Sequence, residues 1–365
     1  MSFLGFLIGY KWVLLFYFFV ALLVYLNRKK FDVEAKFFYL YRTKIGLKVI
    51  SKLARFKRAV HLLGNIAMVF GFLGTGWIII LLGFKAYNVL VNPEAMGVAP
   101  VLPGLPIAGT GIQFPLIIGW LSLFIIIVIH EFSHGIVAKA HGVPVKSSGI
   151  AFFGPILAAF VEPDEKKLAK KPARVQNAVF SAGPIANIAT SFVFFFILGF
   201  VLLPIGGAIS KQTGVYLAPI NDTPAYKAGL PPKVLISGFN NNTLLSFSEF
   251  MNFSRALKPN QTVVLVAVNG STYKFRTTQH PDNASRGYMG VLFMGVKEVP
   301  KQPTLSYKFG FYALNWLKEL FFWLYFISLN LGLINLFPIF ITDGARIIQT
   351  TAQKLIRDKE KAMYV

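Results

Sequence analysis

The chain has 365 residues, of which 55% are hydrophobic and 14% charged, with a net charge of +22. That balance is too apolar for an ordinary soluble domain and describes a chain that crosses a membrane several times. There is no cysteine, which excludes disulfides and thiolate metal sites, so any metal has to be held by His and carboxylate groups.

Five apolar runs are long enough to span a bilayer: 3–26, 62–84, 114–138, 176–204 and 311–341, the last interrupted by Pro338 and so expected to be kinked or partly unwound. The first is too long for a signal-peptide core and lacks a basic leader or a small-residue cleavage site, so it reads as a retained span. The positive charge lies in blocks between these runs, as in loops that face anionic lipid, and no nucleic-acid-binding motif accompanies it. The segment 28–58 carries eleven Lys/Arg and two acids, 139–174 carries seven and three, and 345–365 carries five and two. By contrast 85–113 carries only Lys85 and Glu94. The positive-inside rule then places 28–58, 139–174 and the tail in the cytosol, with the N-terminus and 85–113 outside.

The segment 205–300 is polar and falls outside on this topology. Residues 262–270 and 271–278 read as two strands joined at Asn269-Gly270, a type I′ hairpin signal. All six N-x-S/T sequons, at Asn221, Asn241, Asn252, Asn260, Asn269 and Asn283, lie in it, which suits an external location.

The chemistry is carried by His130-Glu131-Phe132-Ser133-His134, at the end of the apolar run 114–138. On a helix, His130 and His134 lie one turn apart on one face and can share a zinc ion, while Glu131 can polarise a metal-bound water. Ionisable groups in hydrocarbon cost several kcal/mol each, so they are seldom placed there without a function. A catalytic zinc takes three protein ligands. Asp343 is the one carboxylate between Glu319 and Asp358 and lies at the inner end of the last span, at the depth of the two histidines. His61, His141 and His280 read as ordinary interfacial or external residues.

These motifs resemble those of the site-2 protease family of intramembrane zinc metalloproteases. There an H-E-x-x-H span pairs with a later N-x-x-P-x-x-x-x-D-G span, matched here by Asn335 to Pro338 and then Asp343-Gly344, and a G-x-x-x-N motif lies between, matched by Gly183 to Asn187. The resemblance covers roughly 114–345. It implies one zinc per chain on His130, His134 and Asp343, with Glu131 as general base, and hydrolysis of peptide bonds in transmembrane segments of substrate proteins near the cytosolic face. Asn335 and Asn187 are the implied substrate-side or scaffold polar groups, each also readable as a helix–helix hydrogen bond in the bundle; Gly183 reads as allowing close helix approach, and Gly149 is placed on the substrate side. The segment 147–163, with Gly149, Gly154 and Pro155, resembles the short membrane-edge β-hairpin of some members, whose exposed edge would pair with an unwound substrate. Many relatives continue with further spans beyond the point where this chain stops. Residues 205–300 resemble a PDZ domain, with Ala228-Gly229-Leu230 in place and Gly214–Leu217 as the expected peptide-docking strand. Pro231-Pro232-Lys233-Val234 departs from the pattern, because an acidic residue usually precedes the apolar pair.

The expected architecture is a polytopic α-helical membrane protein with a membrane-edge β-hairpin and a small α+β PDZ-like extramembrane domain. Its parts are an N-terminal region 1–113 with two spans and a basic loop, a catalytic core in two pieces (114–204 and 301–345), the PDZ-like domain 205–300 and a basic tail 346–365. The expected partners are transmembrane substrates and the bilayer, with no nucleic acid, in the cell membrane. Two other classes compete. A transporter would show inverted repeats or paired broken helices, and neither is seen. A catalytically silent relative that binds membrane helices would have no need of Glu131.

Overall fold

The computed structural model describes residues 7–34, 38–91, 101–107, 113–153, 156–281, 283–339 and 341–355. The hairpin turn with Gly154 and Pro155, the start of the first apolar run and the last ten residues lie outside them. The chain divides into two compact units, one of residues 1–199 with 318–365 and one of residues 200–317.

In the first unit, helix α1 (Lys11–Leu26) leads through a single 3₁₀ turn at Arg28–Lys30 to strands β1 (Asp32–Glu34) and β2 (Phe38–Thr43). Helices α2 (Leu47–Leu53), α3 (Lys57–Val91) and α4 (Leu116–Ala140) follow, then β3 (Val145–Phe153), β4 (Ile156–Pro163) and α5 (Ala173–Ile197). Among the described residues, four helices are long and apolar enough to cross a membrane: Lys57–Val91, Leu116–Ala140, Ala173–Ile209 and Leu305–Leu336. The fifth expected span is described as the 16-residue helix Lys11–Leu26, shorter than the other four.

Small residues set the helix spacing. A Cβ on Gly71 of α3 would come within 2.2 Å of Ser181 Oγ on α5, and one on Gly64 would touch Val137 of α4 and Ala178 of α5. Lipid gives helices no hydrophobic reason to associate, so close backbone approach and its dispersion contacts have to hold the bundle. The basic segment 28–58 supplies β2, which pairs antiparallel with β3 from Phe38↔Phe153 to Thr43↔Ser148, while β3 pairs with β4. The hairpin expected at 147–163 is therefore part of a four-stranded sheet in the order β1-β2-β3-β4.

The second unit holds β5 (Ser210–Pro219), β6 (Val234–Phe239), β7 (Asn242–Thr243), helix α6 (Phe247–Ala256), β8 (Thr262–Ala267), β9 (Thr272–Arg276), β10 (Thr278–His280), β11 (Asn283–Tyr288) and β12 (Val291–Pro300). Its main sheet has the order β12-β5-β6-β8-β9 over a core that includes Val215, Leu217, Ile236, Leu265 and Phe250. Helix α6 starts on a capping box in which Ser246 Oγ accepts from Glu249 N and Glu249 caps the Ser246 amide, worth about 1 kcal/mol. Two sequence expectations change here. Gly214–Leu217 lies in β5, whose Val215 faces Val296 of β12 on one side and Ile236 of β6 on the other, so the open edge belongs to β12. At Asn269-Gly270 only Gly270 takes a positive φ (86°), whereas a type I′ turn needs both residues there; Val266 pairs with Thr272 across a longer loop.

Helix α7 (Leu305–Leu336) ends before Pro338, and a new helix, α8 (Asp343–Leu355), begins at Asp343. The expected run 311–341 is thus helical to Leu336 and leaves the helix ahead of Pro338, and α8 starts beyond it. The residue before a proline avoids the helical region, and proline cannot donate to a helix. Thr342 organises the turn: its hydroxyl donates to Phe337 O at 2.5 Å and accepts from Ile339 N at 3.2 Å.

Candidate metal centre

Helix α4 carries the motif at its C-terminal end. His130 and His134 project together, while the intervening side chains do other work. Phe132 packs over Gly46, whose φ of 83° and missing Cβ let the ring approach. Ser133 Oγ donates back to Ile129 O at 2.7 Å. Asp343 arrives as the first residue of α8, where a carboxylate also suits the positive end of the helix. Gly344 makes this possible, because a Cβ there would sit 2.1 Å from Leu336 O at the end of α7.

The three groups converge. His130 Nε2 lies 3.1 Å from Asp343 Oδ2, His134 Nε2 lies 3.3 Å from it, and the two Nε2 atoms are 3.1 Å apart. Ligands about 2.0–2.1 Å from a tetrahedral zinc are separated by roughly 3.3 Å, so the spacing fits one metal ion.

The ring tautomers fit as well. His134 Nδ1 donates to Val179 O at 2.6 Å, which leaves Nε2 to present its lone pair. The Asn187 side-chain amide lies 3.2 Å from His130 Nδ1. With its oxygen turned toward that nitrogen, it accepts the His130 Nδ1 proton and frees Nε2 in the same way. That orientation also gives a partner to the buried Asn187 Oδ1, which otherwise has none. A Cβ on Gly183 would lie 2.3 Å from His134 Nε2 and 2.8 Å from His130 Nε2, in the space an ion needs. Gly183 and Asn187 thus serve the site from one face of α5.

Glu131 points the other way, toward β4, where its Oε2 accepts the Val161 amide at 3.0 Å. Side chains and amides alternate along a strand, so the amide of Ala159 faces the same open edge. This edge lines a cavity of about 750 Å³ that also holds Glu131, Asn335 and Asp343. Gly149 sits elsewhere. It lies in β3, paired with Arg42 on one side and Phe160 on the other, so its backbone is not at an open edge, and a Cβ there would strike Tyr41 O at 2.1 Å. Its role is to let β2 and β4 close on β3.

At the rim, Ser147 Oγ donates to Glu162 at 2.6 Å, and Arg42 Nε lies 3.4 Å from the same carboxylate oxygen. The Ser147 bond foremost, and the Arg42 charge after it, outweigh burial and hold the Glu162 carboxyl below its usual range. His61 and His141 pack ring against ring, tilted by 31° with centroids 4.2 Å apart and outside the three-ligand cluster, and His61 Nε2 lies 3.1 Å from Ala140 O. His280 packs against Tyr288 in the second unit. The contribution of β2 was missed in the sequence, although Phe38 to Thr43 is an aromatic and β-branched run that could have signalled a strand.

Fold and site together define a membrane protein with a His/His/Asp cluster that can hold a metal ion within its helices. The chain belongs to peptidase family M50, the site-2 protease family, whose model matches residues 118–365. It is 28% identical over 315 residues to the uncharacterised protein MJ0971 of Methanocaldococcus jannaschii, covering 84% of this chain and 75% of that one. A solved structure, the PDZ domain of the SdrC-like protein Lmo2051 from Listeria monocytogenes, is similar over 22% of this chain and 88% of its own, at 20% identity and a TM-score of 0.20.

Proposed function

We propose that this chain is an intramembrane zinc metalloendopeptidase that cuts transmembrane segments of other proteins near the cytosolic face. The observation that carries the reading is the convergence of His130, His134 and Asp343 at ligand spacing, with Glu131 adjacent in the same cavity. Zinc in such a site supplies a Lewis acid and lowers the pKa of a coordinated water to about 7. Glu131 takes the proton of the attacking water and passes it to the leaving amine. Val161 N–H steadies Glu131 and ties the base to β4. A helical substrate has to unwind before its peptide carbonyl is reachable, and the open edge of β4 offers main-chain partners to the extended stretch. Asn335 lines the same cavity as Asp343, which supports a role for it in holding a substrate main-chain group.

The orientation follows the charge of the loops. The pairing of β2 with β3 supports it, because 28–58 and 139–174 then lie on one side of a membrane that α3 and α4 cross in turn. The segment 205–300 is PDZ-like in this reading and lies outside, where it screens substrates by the size of their external parts. Cleavage releases a cytosolic fragment or clears a membrane remnant.

The test is Glu131→Gln in detergent-purified protein, assayed for zinc and for cleavage of a model transmembrane substrate. Retained zinc with lost cleavage supports the mechanism. Cleavage at the wild-type rate refutes it.

A further inference from the structure

A second cavity, of about 530 Å³, lies between α1 and the membrane-edge sheet, apart from the metal cluster. Aromatic contacts bracket it at both ends. At one end Tyr17 of α1 meets Trp120 of α4 edge to face, with centroids 6.2 Å apart, and its hydroxyl donates to Pro103 O at 2.9 Å. At the other end Phe31 packs edge-on against Tyr41 and Phe152, each at 5.8 Å. Between these pins α1 stands off from the sheet. Val20, Leu23 and Val24 face Ile150 and Leu157 across the gap.

The groove is charged at one end only. Asn27 and Lys30 line its mouth, where α1 gives way to Arg28-Lys29-Lys30. Nearby Asp32 is engaged by Arg42 at 2.8 Å, and no described carboxylate lies within ion-pair distance of Lys30. An unfilled apolar gap forfeits dispersion contacts along its walls, and in a bilayer the abundant filler is an acyl chain. From Phe16 to Leu26 the wall runs about 15 Å along the helix, a length suited to an extended hydrocarbon chain. A substrate helix fits less well, because spans carry Lys and Arg at their cytosolic ends and would meet the Arg28–Lys30 cluster charge on charge.

We infer that this groove is a binding site for one anionic phospholipid, its acyl chain against Val20, Leu23 and Trp120 and its phosphate at Lys30 and Asn27. The site stands on the membrane location of the chain and is independent of peptidase chemistry. A lipid here wedges between α1 and the sheet that carries β4, so its occupancy sets how firmly the sheet is held.

Trp120 is the reporter. The full chain is reconstituted in phosphatidylcholine vesicles containing increasing fractions of either phosphatidylglycerol or phosphatidylcholine with dibrominated acyl chains, which quench tryptophan on contact. The difference between wild type and Trp120→Phe isolates the Trp120 signal, and Trp77, 59% exposed on α3, reports bulk lipid and correct insertion. Half-quenching of Trp120 should occur at about a five-fold lower fraction of the brominated anionic lipid than of the neutral one, as one lysine–phosphate contact allows. Lys30→Glu should erase that preference, and Val20→Phe, which fills the groove, should weaken Trp120 quenching by both lipids while Trp77 is unchanged. Equal quenching by the two lipids, a preference that survives Lys30→Glu, or a Trp120 signal that neither lipid quenches would overturn the inference. So would recovery of Trp120 fluorescence on adding a neutral spanning peptide, which would assign the groove to a polypeptide.

Discussion

Gly183→Ala tests the geometry of the metal centre with a single methyl group. The added Cβ would sit 2.3 Å from His134 Nε2 and 2.8 Å from His130 Nε2 and Cε1. The first distance is more than 1 Å short of ordinary van der Waals contact. Metal–ligand distances tolerate about 0.2 Å, so an imidazole that moves aside by 1 Å leaves the coordination sphere. Removing an outer partner of a ligand costs metal affinity about 10–100-fold. The methyl group intrudes among the ligating atoms themselves, so the loss should be at least about 100-fold. The cost to folding should be smaller, about 1–3 kcal/mol for overpacking. The assay is zinc content and competitive chelation on purified protein, with a thermal melt to confirm folding. Gly76→Ala is the control, since a Cβ at that helical glycine meets nothing within 4 Å. Gly183→Ala protein that binds zinc with wild-type affinity would refute the reasoning, and loss of zinc from Gly76→Ala as well would show that the effect is not local.

Asn187→Leu removes the partner of His130 Nδ1 and should weaken zinc about 10–100-fold with the fold retained, measured by the same chelator titration. Ala159→Pro deletes an amide on the open edge of β4 without touching the β3 ladder; cleavage should fall about ten-fold with zinc content unchanged, as expected if one main-chain hydrogen bond to the substrate is lost. His141 lies beyond the end of α4, and its pKa is held below the ordinary 6.5 chiefly by burial, with the charges of His61 and Lys171 adding to this and the bond to Val137 O opposing it. The unfolded chain therefore takes up the proton first, and stability should fall as pH drops from about 6.5 toward the folded pKa. Thermal melts across that window should show a shallower decline for His141→Asn; identical slopes would count against it. In a glycosylating host, modification of a sequon inserted in 44–56 would reverse the proposed orientation, while use of native sequons such as Asn241 or Asn283 would support it.

Much of the site was legible because its parts are written in local spacing. His130 and His134 stand four apart in a helix, and that interval alone puts their rings on one face. Asp343 stood out because an apolar run offers few carboxylates. The rest depended on contacts between distant segments. Asn187 reads from sequence more readily as a helix–helix hydrogen bond, and only the approach of α5 to α4 shows its amide at His130. Gly183 reads from sequence as a glycine that allows close helix approach, and in the structure the space it leaves lies against His130 Nε2 and His134 Nε2, where an ion would fit. Gly149 was misassigned because one strand of a hairpin cannot be told from the other as the open edge until β2, more than a hundred residues upstream, takes the place beside β3. The same limit applied to β5 and β12, since strand order in a sheet is a long-range property.

Composition, periodicity and charge blocks were enough to establish a membrane protein, its apolar runs and the residues able to bind a metal, since each depends on neighbours within a few turns of one helix or one bilayer crossing. Tertiary structure decided that α7 stops at Leu336 and α8 starts at Asp343, that Gly183 and Asn187 face the His/His/Asp cluster from α5, and which strand edges remain open. Those outcomes depend on which distant segments pack together, and a segment's own sequence does not encode the partner that will cover it.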